Sequence, residues 1–384
     1  MANNSNLGAA KAAKNDEFYT QYADIQKEIN AYLEYNPDTF RDKTVLLPCD
    51  DPEWSNFTRF FAQNFERLGL KKLISTSYAV ESKKYKDYEP TLFETESPLF
   101  DEDKTRTHGK IFVLERDVNG SGRIDIDDLE WHYLDGDGDF RSPEVCALRD
   151  EADVIVTNPP FSLFREFLSW IVVAGKECLI IGNMNAVTYK EVFPLIMANK
   201  LWYGPSISSG DREFMVPDSY PIEASGWRID EKGKKYIRVK GVRWFTNLEH
   251  GRRHEPLKLM SMKDNLRYSK HRDVREKGYL KYDNYDAIEV SYTDAIPADY
   301  DGVMGVPLTF LDKYCPEQFD ILGMCENLDL YALKTKVYSS EECRKAYHDK
   351  FGRPGTYDLN ASGVVVLNGL YEKVYQRILI RKKQ

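Results

Sequence analysis

No apolar stretch in this 384-residue chain approaches the length needed to cross a bilayer. The first residues, Met1 to Lys14, carry none of the apolar core of a secretion signal. A cytoplasmic protein is therefore expected, with residues 1–14 as a small, polar, flexible lead. Cysteine is sparse and scattered: Cys49, Cys146, Cys178, Cys315, Cys325 and Cys343 form no Cys-x-x-Cys pair. That argues against a disulfide frame or a zinc site and for reduced thiols. Internal repeats and low-complexity runs are absent, so a solenoid is not expected. An excess of positive charge is missing too: the net charge is −9, which at first counts against a nucleic-acid partner. What is present is ordinary globular material, 42% hydrophobic and 30% charged, long enough for one large or two modest domains with a sizeable core.

The most informative run is Asn158-Pro159-Pro160-Phe161, which follows the strand-like Asp153-Val154-Ile155-Val156-Thr157. The apolar stretch before it reads as a buried parallel strand. Ser162 is then expected to cap a helix whose Leu163, Phe164, Phe167, Leu168, Ile171 and Val172 recur at helical spacing. Gly175 is expected to close that helix, and Cys178 to Gly182 to form the next strand. The Asn thus falls at the carboxyl edge of an α/β sheet, where such sheets bind ligands. A turn after a buried strand would satisfy the same residues. Their chemistry goes further and suits transfer to an exocyclic amine. Such a nitrogen is a poor nucleophile because its lone pair is delocalised into the ring. An Asn oxygen and a Pro carbonyl can accept its N–H groups and drive it toward tetrahedral geometry. The Pro-Pro step holds that carbonyl rigidly, and Phe161 offers a face to a planar base.

Charge is strongly segregated. Between Arg228 and Lys281 there are 17 Lys or Arg residues against 7 Asp or Glu, on a chain whose remainder is acidic. This is the footprint of a phosphate-contacting surface, with Tyr236, Trp244, Phe245, Asn247, Asn265 and Tyr268 interleaved; a solvated loop is the bland alternative. Composition and periodicity divide the chain into an α/β core over 15–225, a basic loop-rich region over 226–295, and a C-terminal region over 296–384. The last is expected to hold a strand at Phe319 to Gly323. It is also expected to hold a hairpin pairing Gly363–Val366 with Val374–Ile380 around Asn368-Gly369.

Three upstream segments look like pieces of a cofactor site. Asp16 to Thr20 precede an amphipathic helix near Ile25, Ile29 and Tyr32. The strand Thr44 to Leu47 runs into Pro48-Cys49-Asp50-Asp51-Pro52, then Ser55-Asn56 and a helix with Phe57, Phe60, Phe61 and Leu68 on one face. Acids after a strand can take an ammonium, and free amides at a helix start can take a carboxylate. Gly138-Asp139-Phe140-Arg141-Ser142 could accept from an adenine amino group beside a stacking ring.

The order of these segments resembles the EcoRI-type adenine-N6 DNA methyltransferases. It is carried by Asp16 to Tyr22, Cys49 to Pro52 with Ser55 to Phe57, Gly136 to Ser142, Val156 to Phe164 and Thr188 to Phe193. Lys281 to Ile288 and Tyr300 to Pro307 extend it along nearly the whole chain. The resemblance implies a class I methyltransferase fold, Rossmann-like, with a mostly parallel doubly wound sheet and an added basic DNA-recognition region. It implies S-adenosylmethionine as donor, no metal requirement, a flipped-out adenine in double-stranded DNA as acceptor, and a cognate restriction endonuclease as possible companion. By this resemblance Phe18, Tyr19 and Thr20 line the donor pocket. Asp50 and Asp51 hold its methionine end, and Asp139 and Phe140 its adenine. Asn158, Pro159 and Pro160 with Phe161 take the target base. Arg252, Arg253, Lys270 and Arg272 are the expected DNA contacts. Two departures stand out. Asp51 to Asn56 replace the glycine-rich donor loop common in methyltransferases, and the strand Lys72 to Tyr78 lacks the terminal acid that binds ribose, leaving Glu81 as nearest candidate.

Other readings share some of these residues. The acceptor loop also fits a DNA cytosine-N4, RNA adenine or protein glutamine methyltransferase. Asp117 to Asp128 place oxygens at positions 1, 3, 5, 9 and 12 around a glycine at 6, close to an EF-hand calcium loop. Asp stands at position 12 in place of the bidentate Glu, and no clear helix precedes Asp117. An acidic hairpin inserted before Asp139 is the expectation there.

Overall fold

The computed structural model describes residues 19–50, 55–79, 95, 97–208, 211–216 and 226–383. The chain divides into two compact units, Met1–Gly251 and Arg252–Gln384.

In the first unit, short aliphatic runs with no polar alternation form strands buried along their whole length, as in β1 (Thr44–Leu47) and β5 (Val154–Thr157). With β2 (Lys72–Thr76), β3 (Lys110–Leu114), β4 (Glu130–Tyr133), β6 (Glu177–Asn183), β7 (Trp202–Tyr203) and a late strand Val242–Thr246 they make one eight-stranded sheet. Its order is β4-β3-β2-β1-β5-β6, then Val242–Thr246, then β7. The four contiguous strands β2, β1, β5 and β6 are parallel, and antiparallel strands flank them on both sides. Six of the eight strands run in one direction. This is the α/β sheet expected of a class I methyltransferase. After β1 the chain moves outward to β2, and it later returns to the other side of β1 as β5. The strand order therefore reverses between β1 and β5, the place where open α/β sheets hold ligands.

Four helices bear on the site. α1 (Tyr22–Tyr35) buries Ile25, Ile29 and Tyr32, as their spacing predicts, and α2 (Asn56–Gln63) buries Phe57, Phe60 and Phe61. α3 (Pro143–Glu151) is capped by Ser142, whose side chain accepts from the Val145 amide. α4 (Phe164–Val173) follows the Asn158-Pro159-Pro160-Phe161 loop. It begins differently from expectation: the residue at its N-cap is Leu163, not Ser162, because a 3₁₀ turn over Phe161–Leu163 intervenes. It closes as expected. Gly175 adopts φ +64°, and the Lys176 amide bonds the Ile171 carbonyl while the Gly175 amide bonds that of Val172.

The segment 115–129 is the connection of the β3–β4 antiparallel pair. Its acids accept from its own backbone. Asp117 takes the amides of Ser121 and Gly122, and Asp128 takes those of Val118, Asn119 and Asp125. Those three amides hold the Asp128 carboxyl below the usual range. Among the described residues no group of His, Cys, Asp or Glu is arranged to hold a metal ion.

The stretch 226–295, expected to be loop-rich, contains regular structure. β8 (Asp211–Val216), β9 (Trp227–Ile229) and β10 (Lys235–Lys240) form a three-stranded antiparallel sheet. β11 (Val242–Thr246) is the late strand already placed in the large sheet, buried throughout. The boundary between the two units, after Gly251, falls inside the stretch.

The second unit holds α5 (Met262–Tyr268), α6 (Arg272–Lys277), and a four-stranded sheet. That sheet comprises β12 (Ala287–Glu289), β13 (Val303–Pro307), β14 (Phe319–Met324) and a C-terminal strand Arg377–Lys382, in the order β12-β13-C-terminal-β14. The expected hairpin turns at Asn368-Gly369, but its arms are β15 (Val364–Leu367) and β16 (Leu370–Lys373). Both turn residues have positive φ, 51° and 79°, as a tight two-residue turn requires. The C-terminal strand β17 (Arg377–Lys382) pairs with β13 and β14 instead. The run Lys281 to Ile288 is a structural hub of this unit. Asn284, fully buried, donates to the Ser362 carbonyl and accepts from the Val364 amide. The Tyr282 hydroxyl donates to Glu289, which also receives the guanidinium of Arg377 at 2.6 Å.

Candidate active site

Asp50 lies just past the end of β1, buried to 7% exposure. One carboxylate oxygen accepts the Ser55 hydroxyl at 2.8 Å, and the other accepts the Thr157 hydroxyl at 2.6 Å. Ser55 also accepts the Phe57 amide and so caps α2. The Asp50 amide donates to the Thr76 carbonyl at the end of β2. Its own carbonyl accepts the Ser75 hydroxyl and, at 3.4 Å, that of Thr58. The ends of β1, β2 and β5 and the start of α2 are thus tied together at one residue.

Asn158 follows Thr157 directly and is half-buried, Pro159 is buried, and Phe161 packs partly against the hydrophobic core. The Asn158–Phe161 loop therefore sits at the carboxyl edge of β5, beside the reversal point and one residue from the Asp50 cluster.

Tyr19 pairs with Met215 through two backbone hydrogen bonds of 2.9 and 3.1 Å, which fixes the start of the described chain against β8. The Thr20 carbonyl accepts from the Asn56 side chain at 2.8 Å, at the first residue of α2. Two of the expected donor residues, Tyr19 and Thr20, are thereby brought to the same helix start as Asp50. Phe18, Asp51 and Glu81 lie outside the described residues. Among the described residues, the Thr20 hydroxyl is buried with no hydrogen-bond partner, as is that of Thr76, the last residue of β2. Buried hydroxyls left unpaired cost free energy, so both fit a polar ligand at this edge.

The Gly136–Ser142 segment is pinned by close backbone approach. Gly138 has φ +81°, and a Cβ there would lie 2.2 Å from the Ser77 carbonyl oxygen. The Ala79 amide donates to the Asp137 carbonyl at 2.7 Å, and that of Gly109 to the Gly136 carbonyl at 2.8 Å. Asp139 is therefore held next to the end of β2. Its carboxylate receives the Arg141 guanidinium in a two-point contact, 2.8 Å to Nε and 2.5 Å to Nη2. The bond from Arg141 holds the Asp139 carboxyl below the usual range. Arg141 also reaches Glu166 on α4 at 3.2 Å. Phe140 is 5% exposed, with Phe167 and Trp170 edge-on at 5.1 and 5.7 Å and the Arg141 guanidinium over its ring.

The expected DNA contacts fare unequally. Lys270 and Arg272 are exposed, their side chains at 74% and 79%, and they pair with Asp294 and Glu276 respectively. Arg252 is partly exposed. Arg253 is 3% exposed, the most buried of the four. α5 and α6 carry a basic exposed surface that composition alone did not resolve. Lys263 and Arg267 lie one helical turn apart, and Arg267 covers the ring of Tyr268, itself 60% exposed. The sequence pattern assigned no individual role to Thr157, Ser55 or Arg141, each of which makes side-chain bonds here. The available signal was a hydroxyl ending an otherwise aliphatic strand.

The chain matches, over residues 6–383, the family described as "Adenine-specific methyltransferase EcoRI". The Type II methyltransferase M.EcoRI of Escherichia coli is 42% identical over 328 residues, covering 85% of this chain and 91% of that protein. M.MpnI of Mycoplasma pneumoniae is 36% identical over 333 residues, 86% of this chain and 89% of the relative. M.MgeORF184P of Mycoplasma genitalium is 32% identical over 382 residues, 98% of each. No solved structure matches the chain.

Proposed function

Since this chain belongs to the EcoRI family of adenine-specific methyltransferases, we propose that it methylates the N6 amine of an adenine flipped out of duplex DNA, with S-adenosylmethionine as donor. The observation that carries this reading is the position of Asn158-Pro159-Pro160-Phe161 at the reversal point of the sheet, one residue from the Asp50 cluster. Asn158 and the Pro159 carbonyl accept the two amine N–H groups, and the Phe161 ring stacks on the base. The donor supplies an electrophilic methyl group on a sulfonium. The residues here would hold the amine nitrogen with its lone pair directed at that carbon, and the proton made acidic by methylation would pass to solvent. Alignment and exclusion of water are the main contributions asked of the protein. Tyr19, Thr20, Asp50 and Asp139 would hold the donor, a role supported by the unpaired buried hydroxyls of Thr20 and Thr76. Phe18 and Asp51 are assigned to the same pocket by resemblance, and Phe140 would border the donor adenine through its packed ring.

Flipping costs a few kcal/mol of stacking and pairing, which phosphate contacts must offset. The segment 258–281 suits that task, with eight Lys or Arg residues against three Asp or Glu. Arg252, Lys270 and Arg272 join it as proposed contacts. A restriction endonuclease cutting the same site is the expected companion.

The test is direct. The purified protein is incubated with tritiated donor and unmethylated genomic DNA, and the DNA is digested to nucleosides. Label in N6-methyl-2′-deoxyadenosine supports the proposal, and sequencing of modified sites gives the target. Label in cytosine would replace the substrate, and failure to bind the donor would sink the reading.

A further inference from the structure

We infer that Thr157 is a positioning residue. Through its hydroxyl bond to Asp50 it aims the Asn158 side chain and makes the donor pocket and the acceptor loop one mechanical unit. The inference rests on the proposed roles of these two sites.

Thr157 is fully buried, and it ends a strand whose other residues are Val154, Ile155 and Val156. Valine would serve the strand at least as well, being of the same shape and a better fit to a buried pleat. A hydroxyl in this place is costly unless it is bonded, and its bond is to a carboxylate at 2.6 Å, among the stronger kinds. The neighbouring backbone is held on its other side by pairing of Thr157 with Ile180 of β6. Beyond Thr157 the chain leaves the sheet, so the Asp50 bond is the last side-chain tie before Asn158.

The same carboxylate accepts from Ser55, the cap of α2, and the Asn56 side chain next to it holds the Thr20 carbonyl. A displacement at either site is thus transmitted through two hydroxyl bonds and one carboxylate. A displacement of about 1 Å at reacting atoms can lower a rate roughly 10²-fold. The couple therefore acts on the rate of transfer, with lesser effect on affinity for either substrate.

The experiment compares wild type, Thr157→Val, Thr157→Ser, Asp50→Asn and the Thr157→Val/Asp50→Asn double variant. Each full-length protein is assayed for kcat and KM with site-bearing duplex DNA, and for S-adenosylhomocysteine affinity by calorimetry. Thr157→Val should lose roughly 10²-fold in kcat, with KM for DNA and S-adenosylhomocysteine affinity within about threefold of wild type, a margin of about 0.7 kcal/mol. Thr157→Ser, which keeps the hydroxyl, should recover most of the rate. The double variant should be no slower than the slower single variant, because Thr157→Val deletes and Asp50→Asn weakens the same contact. Unchanged kcat in Thr157→Val would overturn the inference, and so would additive losses or a serine variant as slow as the valine one. Should Thr157→Val fold poorly, Thr157→Ser and Thr157→Ala decide: a fast serine variant beside a slow alanine one, both with S-adenosylhomocysteine affinity within about threefold of wild type, supports the couple, and equal rates in the two overturn it. If wild type itself transfers no methyl group to DNA, the proposed function fails before these variants are compared.

Discussion

At the scale of single residues, the site is organised by hydrogen bonds to groups that the chemistry does not consume. Asn158 is the residue proposed to touch the acceptor amine. Asn158→Ala is expected to abolish methyl transfer while leaving donor affinity within a few-fold, as its proposed acceptor role requires. Calorimetry with S-adenosylhomocysteine beside a transfer assay checks this, and a parallel collapse of both quantities would move Asn158 into the donor pocket. Asp139 shows a different logic. Its carboxylate is already occupied by Arg141, which also binds Glu166 of α4. The acid that resemblance assigns to the donor adenine is therefore linked through one guanidinium to the helix that follows the acceptor loop.

At the scale of elements, two close contacts fix how segments meet. The loop carrying Asp139 crosses the end of β2 backbone against backbone, and Gly138 is the point of contact. Gly138→Ala would force a Cβ to within 2.2 Å of the Ser77 oxygen at a φ of +81°. The left-handed conformation alone costs about 1–2 kcal/mol for an L residue. A lower thermal midpoint and weaker S-adenosylhomocysteine binding are both expected, and retention of wild-type values in both would show the loop free to move. In the second unit, β12 and β17 are joined by the Glu289–Arg377 pair, 7% exposed at each residue. Arg377→Leu strands a buried carboxylate and should cost roughly 3–5 kcal/mol in urea unfolding. Replacing both residues by apolar ones should recover much of that loss, whereas a single variant as stable as wild type would contradict the pairing.

At the scale of the whole molecule, charge is the organising quantity. A chain of net charge −9 approaches a polyanion only if its positive groups are collected, and between 258 and 281 they are. Neutralising Arg252, Lys270 and Arg272 should weaken DNA binding and flatten its salt dependence by about 0.9 in log K per log salt for each true phosphate contact. Lys270 and Arg272 must first exchange Asp294 and Glu276 for phosphate, so the loss in affinity should be smaller than for unpaired cations. Titrations between low and moderate salt measure the slope, and an unchanged slope would send the DNA elsewhere on the surface.

What could be read before folding was whatever depends on neighbours in the chain. The aliphatic runs of β1, β5 and β6, the periodic apolar face of α1, the Asn-Gly turn and the Asn158-Pro159-Pro160-Phe161 loop all declare themselves locally. So did the family, because long motifs in a fixed order need no coordinates. The tertiary structure decided what depends on residues far apart. Val242–Thr246 looked like part of a basic loop and became a buried strand, because its side chains complete a sheet begun 200 residues earlier. Arg377–Lys382 left the expected hairpin because β13 and β14 offered it two partners where β15 offered one. Arg253 and Arg272 are the same residue type in one basic run, yet one is buried and the other exposed. Thr157 and Asp50 stand 107 positions apart, and their bond exists only where β1 and β5 lie side by side. Local sequence sets which element forms, whereas burial and pairing are contests among all the segments at once, settled only when the chain is packed.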